Sequence, residues 1–337
     1  MARRAGIITR ACSEISPLLY FEAMKIKSVL IAGAGAIGLS TAESIYKTDP
    51  ACISILAKGE RLERYQKNGL KVNGKKLDFR FSHGAEADLI LIASKFHHLN
   101  QIIEDIRPSV GKDTIILSLL NGISSEEIIN AALERAQGRE RLPLAIVLGT
   151  DAFHKGEETG YSQLGCIHFG DADGKNGARE ESLVEFFTRT GVKFKLEENM
   201  KRVLWYKFMV NVGLNQVSAV LGLPYGAFQK KGENSGIPEA RQLLEKTMLE
   251  VIAVANAEGI DLNEGDIETW YKSTASLSPN GYCSMCQDVM AKRKTEVEMF
   301  SLTLMELAKK HSIAVPANEF LYLQLKTIER ISLGSFF

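Results

Sequence analysis

A glycine-rich turn near the N-terminus constrains this chain more than any other stretch. Residues 27–32, Lys-Ser-Val-Leu-Ile-Ala, read as a short buried strand. They run straight into Gly33-Ala34-Gly35-Ala36-Ile37-Gly38 and then a helix-compatible stretch over residues 39–46. This is G-x-G-x-x-G after a strand and opening a helix, the context in which the pattern marks a dinucleotide-binding βαβ unit. Gly33 permits the tight turn, Gly35 lets the backbone approach a pyrophosphate, and Gly38 lets the helix pack closely on the strand. The free amides of the first helical turn then face the anion, assisted by the helix dipole. All six positions, Gly33 to Gly38, are candidate cofactor contacts. An ordinary Gly-rich β–α turn is the alternative, and the fit of both flanks argues against it.

At 337 residues the chain exceeds what one core usually serves, which suggests about two domains. Lys plus Arg equals Asp plus Glu at 41 each, so no global field recruits nucleic acid or an anionic membrane. No apolar run approaches the roughly 18–20 residues needed to span a bilayer. The five cysteines (12, 52, 166, 283 and 286) are few, odd in number and scattered. That usage suggests a reducing, cytoplasmic setting without a disulfide framework. Residues 1–23 carry Arg3, Arg4 and Arg10 but neither an h-region nor a small-residue cleavage site. With Met24 standing just before the first strand, they read as a disordered extension or an early start codon.

The second strand is expected over residues 52–57, followed by Lys58-Gly59-Glu60-Arg61. In the NAD-binding version of such a unit an acidic residue near this point accepts from the ribose 2′-hydroxyl. A carboxylate would repel a 2′-phosphate, whereas Lys58 and Arg61 would bind it, each charge-assisted contact contributing about 1.5–3 kcal/mol. The reading therefore favours NADP over NAD, with Glu60 serving the ribose as the alternative. Residues 68–81 suggest a hairpin around Asn73-Gly74. Residues 88–93, 114–119 and 144–148 are apolar runs of the kind found in parallel strands buried on both faces. Ligands in such sheets lie beyond the carboxyl ends of the strands. Ser94-Lys95 and Asn121-Gly122 stand there, as candidates for gripping cofactor and substrate.

From about residue 178 helical periodicity takes over, and the domain boundary is expected near 195–199, after a last strand at 192–194. This gives an α/β class: a dinucleotide-binding domain over 24–196 and a helical domain over 197–337. Residues 199–221 are apolar almost all round, so this helix should be buried on most sides. Yet Lys207, Asn211 and Asn215 recur at i, i+4 and i+8, with Ser218 continuing the stripe. Such a row is costly when buried unless something pairs with it. It is either a polar seam between helices or subunits, or the wall of a ligand cleft, and a nicotinamide domain upstream favours the cleft. Residues 238–258 and 291–310 read as further helices. Ser284 with Gln287 suggests a capping box. Cys283-x-x-Cys286 and His97-His98 lack the companions of a metal site, so no metal is expected.

Taken in order, these features resemble the ketopantoate reductase (2-dehydropantoate 2-reductase) family, from Met24 to about Arg330. The specific matches are the 33–38 motif, Lys95, Asn121-Gly122, and Leu204-Trp205-Tyr206-Lys207-Phe208-Met209-Val210-Asn211 with Asn215. Ser284-Met285-Cys286-Gln287-Asp288, Lys294-Thr295-Glu296-Val297-Glu298 and Ser312-Ile313-Ala314-Val315-Pro316 complete the set. The resemblance implies a Rossmann domain and an all-helical C-terminal domain like that of 6-phosphogluconate dehydrogenase. It also implies NADPH-dependent reduction of ketopantoate to pantoate, in pantothenate and coenzyme A synthesis. Lys207 matches the family's proton donor, and Asn211, Asn215 and Ser284 match residues that hold the substrate. Asn121 matches the asparagine between cofactor and substrate, Glu296 a glutamate touching cofactor and active site, and Lys95 a cofactor-side lysine. An ammonium at Lys207 beside a carboxylate such as Glu296 could stay charged and protonate the alkoxide left by hydride transfer. Ser301-Leu302 and Tyr225 depart from the family pattern, where Asn-Gly and Asn are usual. A paralogue for another 2-keto acid is therefore one alternative; a non-catalytic NADP(H)-binding sensor is another, against which the retention of Lys207, Asn211, Asn215 and Glu296 argues. Fold-level analogy suggests a homodimer through the helical domain.

Overall fold

The computed structural model describes residues 25–134, 142–230 and 235–334. The extension expected over residues 1–23 lies outside them. The chain begins with β1 (Val29–Ala32), α1 (Ala36–Thr48), β2 (Ile53–Leu56), α2 (Gly59–Asn68), β3 (Leu70–Val72), β4 (Lys75–Leu77) and β5 (Arg80–Ser82). It continues through β6 (Ala87–Ile92), α3 (Leu99–Ile106), β7 (Val110–Ser118) and α4 (Ser125–Ala132). Next come β8 (Leu144–Leu148), β9 (Asp151–Lys155), β10 (Glu158–Gln163), β11 (Cys166–Gly170), α5 (Ala178–Thr190) and β12 (Phe194–Leu196).

Five strands form one parallel sheet in the order β5-β2-β1-β6-β7. This is the order of the doubly wound dinucleotide-binding fold. Its strands are continuous apolar runs because both faces are covered. Val29, Ile31, Leu89, Leu91 and Leu117 pack with Leu39, Ile45 and Phe186 on one face. The residues between them, Leu30, Ile90, Ile92 and Ile116, pack with Leu99, Ile103 and Ile129 on the other.

Two smaller sheets complete this half, in the orders β4-β3-β10-β9 and β12-β11-β8. The hairpin at Asn73-Gly74 forms, with φ of 47° and 77°, the left-handed pair that a two-residue turn requires. Residues 144–148 are a strand as expected, but they do not join the parallel sheet. β8 pairs antiparallel with β11 instead, and β12 pairs parallel with the same strand. The strands between residues 151 and 170 supply the nearer partner. These strands were not anticipated, because β9 is almost wholly exposed and carries no apolar run.

The remaining elements are helical: α6 (Met200–Val210), α7 (Gln216–Leu221), α8 (Pro238–Ala257), α9 (Glu264–Thr274), α10 (Ser284–Met290), α11 (Thr303–Lys310) and α12 (Pro316–Leu333). A π-turn at Asn211–Asn215 joins α6 to α7, and a second at Glu298–Leu302 leads into α11. The core is built on the α6–α7 rod, with Phe208, Val212 and Val217 buried among Met248, Phe300, Leu304 and Leu321.

Two local expectations differ. The helix expected over 291–310 begins only at the second π-turn. Lys292 takes φ 54°, and the Thr295 amide donates to Glu329 Oε1 (2.7 Å) on α12 rather than to a helical carbonyl. The capping box at Ser284 does not form: Cys283 occupies the cap position, and the Gln287 side chain donates through Nε2 to Tyr282 O (2.8 Å).

Candidate active site

At the first β–α turn, each glycine has a distinct steric reason. Gly33 lies at φ +124°, and a Cβ there would stand 2.5 Å from Ala93 O. A Cβ on Gly38 would stand 1.9 Å from Gly33 O. These two are held by the protein's own backbone. At Gly35, by contrast, the nearest atom to a built Cβ is Ala93 O at 4.0 Å, so this side of the turn is open. Gly35 also caps α1, whose first turn carries no acidic residue. Its leading N–H groups, unpaired within the helix, form a cradle that fits a dinucleotide pyrophosphate.

Beyond β2, Lys58 caps α2 and forms an ion pair with Asp105 of α3. Arg61 is exposed on α2. It lies near His98, whose pKa is lowered by burial first and then by the charges of Arg61 and Lys294.

Along the α6–α7 rod the row Lys207, Asn211 and Asn215 survives folding on one side. A step of four residues overshoots an α-turn by about 40°, and the wider π-turn at 211–215 takes up that drift. Asn211 and Asn215 are each 5% exposed. The Asn211 amide donates to Asn121 Oδ1 (3.4 Å), which reaches the rod from the end of the parallel sheet. The Asn215 side chain makes no hydrogen bond to a described residue. Gly122, beside Asn121, sits at φ +90°, where a Cβ would meet Met299 Cγ at 2.8 Å. The glycine therefore lets the sheet half close on the second π-turn.

Lys207 is half-buried, and no carboxylate among the described residues lies within ion-pair distance of it. Burial pushes its pKa below the ordinary lysine value, opposed only by the Cys283 thiol. This differs from the pairing expected with Glu296. Instead Glu296, 9% exposed, faces Lys95 at 3.6 Å, and Asp288 holds the same ammonium at 3.0 Å. Burial alone would lower the Lys95 pKa, but the charges of Glu296 and Asp288 raise it overall. Asp288 also accepts from Arg293 Nε (2.9 Å). Glu296 borders a cleft of about 310 Å³ with Phe96, His97, Asn100 and Lys294. Lys207, Asn211, Asn215 and Ser284 do not line that cleft. Ser284 is exposed at the first position of α10.

Two polar residues gain roles that sequence reading did not assign them. Asp288 partners Lys95, for which its place in the 284–288 match was the sole signal. Ser301, one of the two departures, is fully buried and donates to Gln216 Oε1. The Gln216 amide in turn donates to Asn318 Oδ1 (3.1 Å), tying both π-turns to α12.

Comparison with known proteins bears on the whole chain. Residues 29–174 match the family model for ketopantoate reductase PanE/ApbA, and residues 199–329 match that for its C-terminal part. A 2-dehydropantoate 2-reductase of Streptococcus pyogenes serotype M6 is 25% identical over 296 residues, which is 86% of this chain and 93% of that one. The crystal structure of a 2-dehydropantoate 2-reductase from Geobacter metallireducens GS-15 is 27% identical, with a TM-score of 0.76 over 89% of this chain and 99% of that one. The structure of D-mandelate dehydrogenase with NADH and anilino(oxo)acetate shares the fold at 22% identity, with a TM-score of 0.79 over 91% of this chain and 99% of that one. With both halves matched and the dinucleotide cradle in place, the chain belongs to the ketopantoate reductase family of oxidoreductases.

Proposed function

We propose that this chain reduces ketopantoate to pantoate with NADPH, residues 24–196 holding the cofactor and 197–337 the substrate. The reading is carried by one observation: Lys207, Asn211 and Asn215 share one side of a nearly buried rod, and Asn121 meets that row from the cofactor half. When bound, the nicotinamide supplies the hydride. The chain's own residues orient the keto acid and handle the proton. Asn121, Asn211, Asn215 and Ser284 can donate to a carboxylate or hydroxyl without adding charge. Lys207 is the proton donor to the oxygen that becomes an alkoxide. With no carboxylate of the described residues within ion-pair distance, its ammonium is free to stabilise that developing charge. Glu296 acts from the Lys95 side, holding that lysine toward the cofactor.

NADP specificity rests on Lys58 and Arg61, and Lys58 would exchange Asp105 for the 2′-phosphate. A second reading, an NADH-linked reductase of another 2-keto acid, draws support from that existing Lys58–Asp105 pair. Both are tested by following NADPH and NADH oxidation with ketopantoate, 2-ketoisovalerate and oxaloacetate. Fastest turnover of ketopantoate with NADPH is expected. Tight NADPH binding without ketopantoate turnover would overturn the substrate assignment and leave the fold untouched.

A further inference from the structure

The last helix, α12, buries one side and leaves the other strongly apolar. Of the eleven large apolar side chains exposed among the described residues, four lie on it: Phe320 (58%), Leu323 (64%), Ile331 (63%) and Leu333 (51%). Leu321, Leu325 and Glu329 form its buried side, the two leucines within the helical core. A helix turns by about 100° per residue. Phe320, Leu323, Thr327 and Ile331 therefore share one side, away from that core. The Thr327 hydroxyl donates to Leu323 O (2.8 Å), so this polar residue is satisfied within the helix. A contiguous apolar face on an exposed helix marks an interaction surface.

Two opposite charges border this face. Glu319 in the first turn and Arg330 in the last are both exposed, and neither forms an ion pair with a described residue. Eleven residues separate them, which is about three full turns, so they lie on the same flank. Phe320 and Ile331 are also eleven residues apart and share the opposite flank. Both spans are centred beside Leu325, and so is the pair Leu323 and Thr327 between them. The face thus reads alike from either end, with an acid exchanged for a base and an apolar residue for an apolar one.

We infer that this face of α12 binds the same face of a second copy of the chain, the two helices running antiparallel about a twofold axis beside Leu325. A twofold contact is self-complementary: where residue i meets j, j meets i. Glu319 then meets Arg330 of the second copy at both ends, Phe320 meets its Ile331, and Leu323 meets its Thr327. A parallel pairing would instead set Glu319 against Glu319 and Arg330 against Arg330. The apolar residues supply the affinity, and the charges fix direction and register. A homodimer through the helical domain thereby acquires a specific face, whichever substrate the chain reduces.

The test is sedimentation velocity on the full chain and on charge-reversed variants. The wild type should sediment as a dimer. Glu319→Arg and Arg330→Glu each place like charges at both ends of the contact, and each should weaken dimerisation about tenfold or more. Mixed in equal amounts, the two variants oppose arginine to glutamate at both ends, so they should form a one-to-one heterodimer. The double variant E319R/R330E should dimerise like the wild type. Thermal unfolding of each single variant reports that it remains folded. A monomeric wild type would overturn the inference and leave the face to some other occupant. A dimer indifferent to both reversals, or single variants that stay monomeric when mixed, would overturn it as well.

Discussion

At the scale of single residues, Lys207 concentrates the chemistry proposed here. It sits half-buried with no counter-charge among the described residues, so removing it orphans none of them and should leave stability unchanged or slightly higher. Lys207→Ala should lower kcat about 10²–10⁴-fold, the usual worth of a positioned acid, and leave NADPH affinity intact. Steady-state kinetics beside a fluorescence titration would check this, and unchanged turnover would remove Lys207 from the role. The pH dependence follows from the same burial. The donor works in its protonated form, so kcat is held at low pH and lost as pH rises through the Lys207 pKa. Because that pKa lies below the ordinary value of 10.5, the decline should begin at lower pH than for a solvated lysine. The Lys207→Ala profile should lack that limb.

At the scale of elements, the β1–α1 turn separates packing from binding. A Cβ at position 38 would press on the Gly33 carbonyl at 1.9 Å, a backbone atom that cannot swing aside. Gly38→Ala should therefore cost about 1–3 kcal/mol in denaturant unfolding and weaken NADPH binding as well. Gly35→Ala, with nothing nearer than 4.0 Å, should keep its unfolding midpoint and lose cofactor affinity alone. Equal effects of the two would contradict the division. A second element-scale test concerns α4, docked on β8 through Glu126. Its carboxylate accepts from Ser125 Oγ (2.8 Å) and the Ala145 amide (3.3 Å). Burial pushes its pKa from 4.5 up to about 7. The folded chain thus keeps a proton that the unfolded chain releases. Its stabilisation is full below about pH 4.5 and is lost as pH rises to about 7. Glu126→Gln should flatten the unfolding free energy across that window, measured as the difference from wild type.

At the scale of the whole molecule, Lys95 links the two halves. It leaves the end of β6 and holds Asp288 (3.0 Å) and Glu296 (3.6 Å) from the helical side. Lys95→Met would leave two nearly buried carboxylates short of a cation. A fully buried pair so broken costs about 3–5 kcal/mol. The Lys95 side chain is 43% exposed and Arg293 still serves Asp288, so about 1–2 kcal/mol is the expected loss in denaturant unfolding. NADPH affinity should fall too, and a variant as stable as wild type would show that the clasp contributes nothing.

Much of this molecule was legible in its sequence. The glycine cradle, the apolar strands and the Lys207–Asn211–Asn215 row are periodic or local features, set by sterics and burial within one turn or strand. The row survives because a π-turn corrects its drift, which no pattern of residue types announced. What depended on tertiary structure is of another kind. The strands between residues 151 and 170 are short and partly exposed, and only their pairing with β3 and β8 makes them strands. The helix expected from residue 291 is delayed because Glu329, 34 residues on, captures the Thr295 amide. Glu296 faces Lys95 instead of Lys207, and Lys58 is engaged by Asp105. An ion pair's partner is decided by which charges the fold brings within about 4 Å, and Lys95 and Asp288 stand 193 residues apart. Local periodicity determined the elements and the polar row, and the closing of one half on the other decided which charges meet.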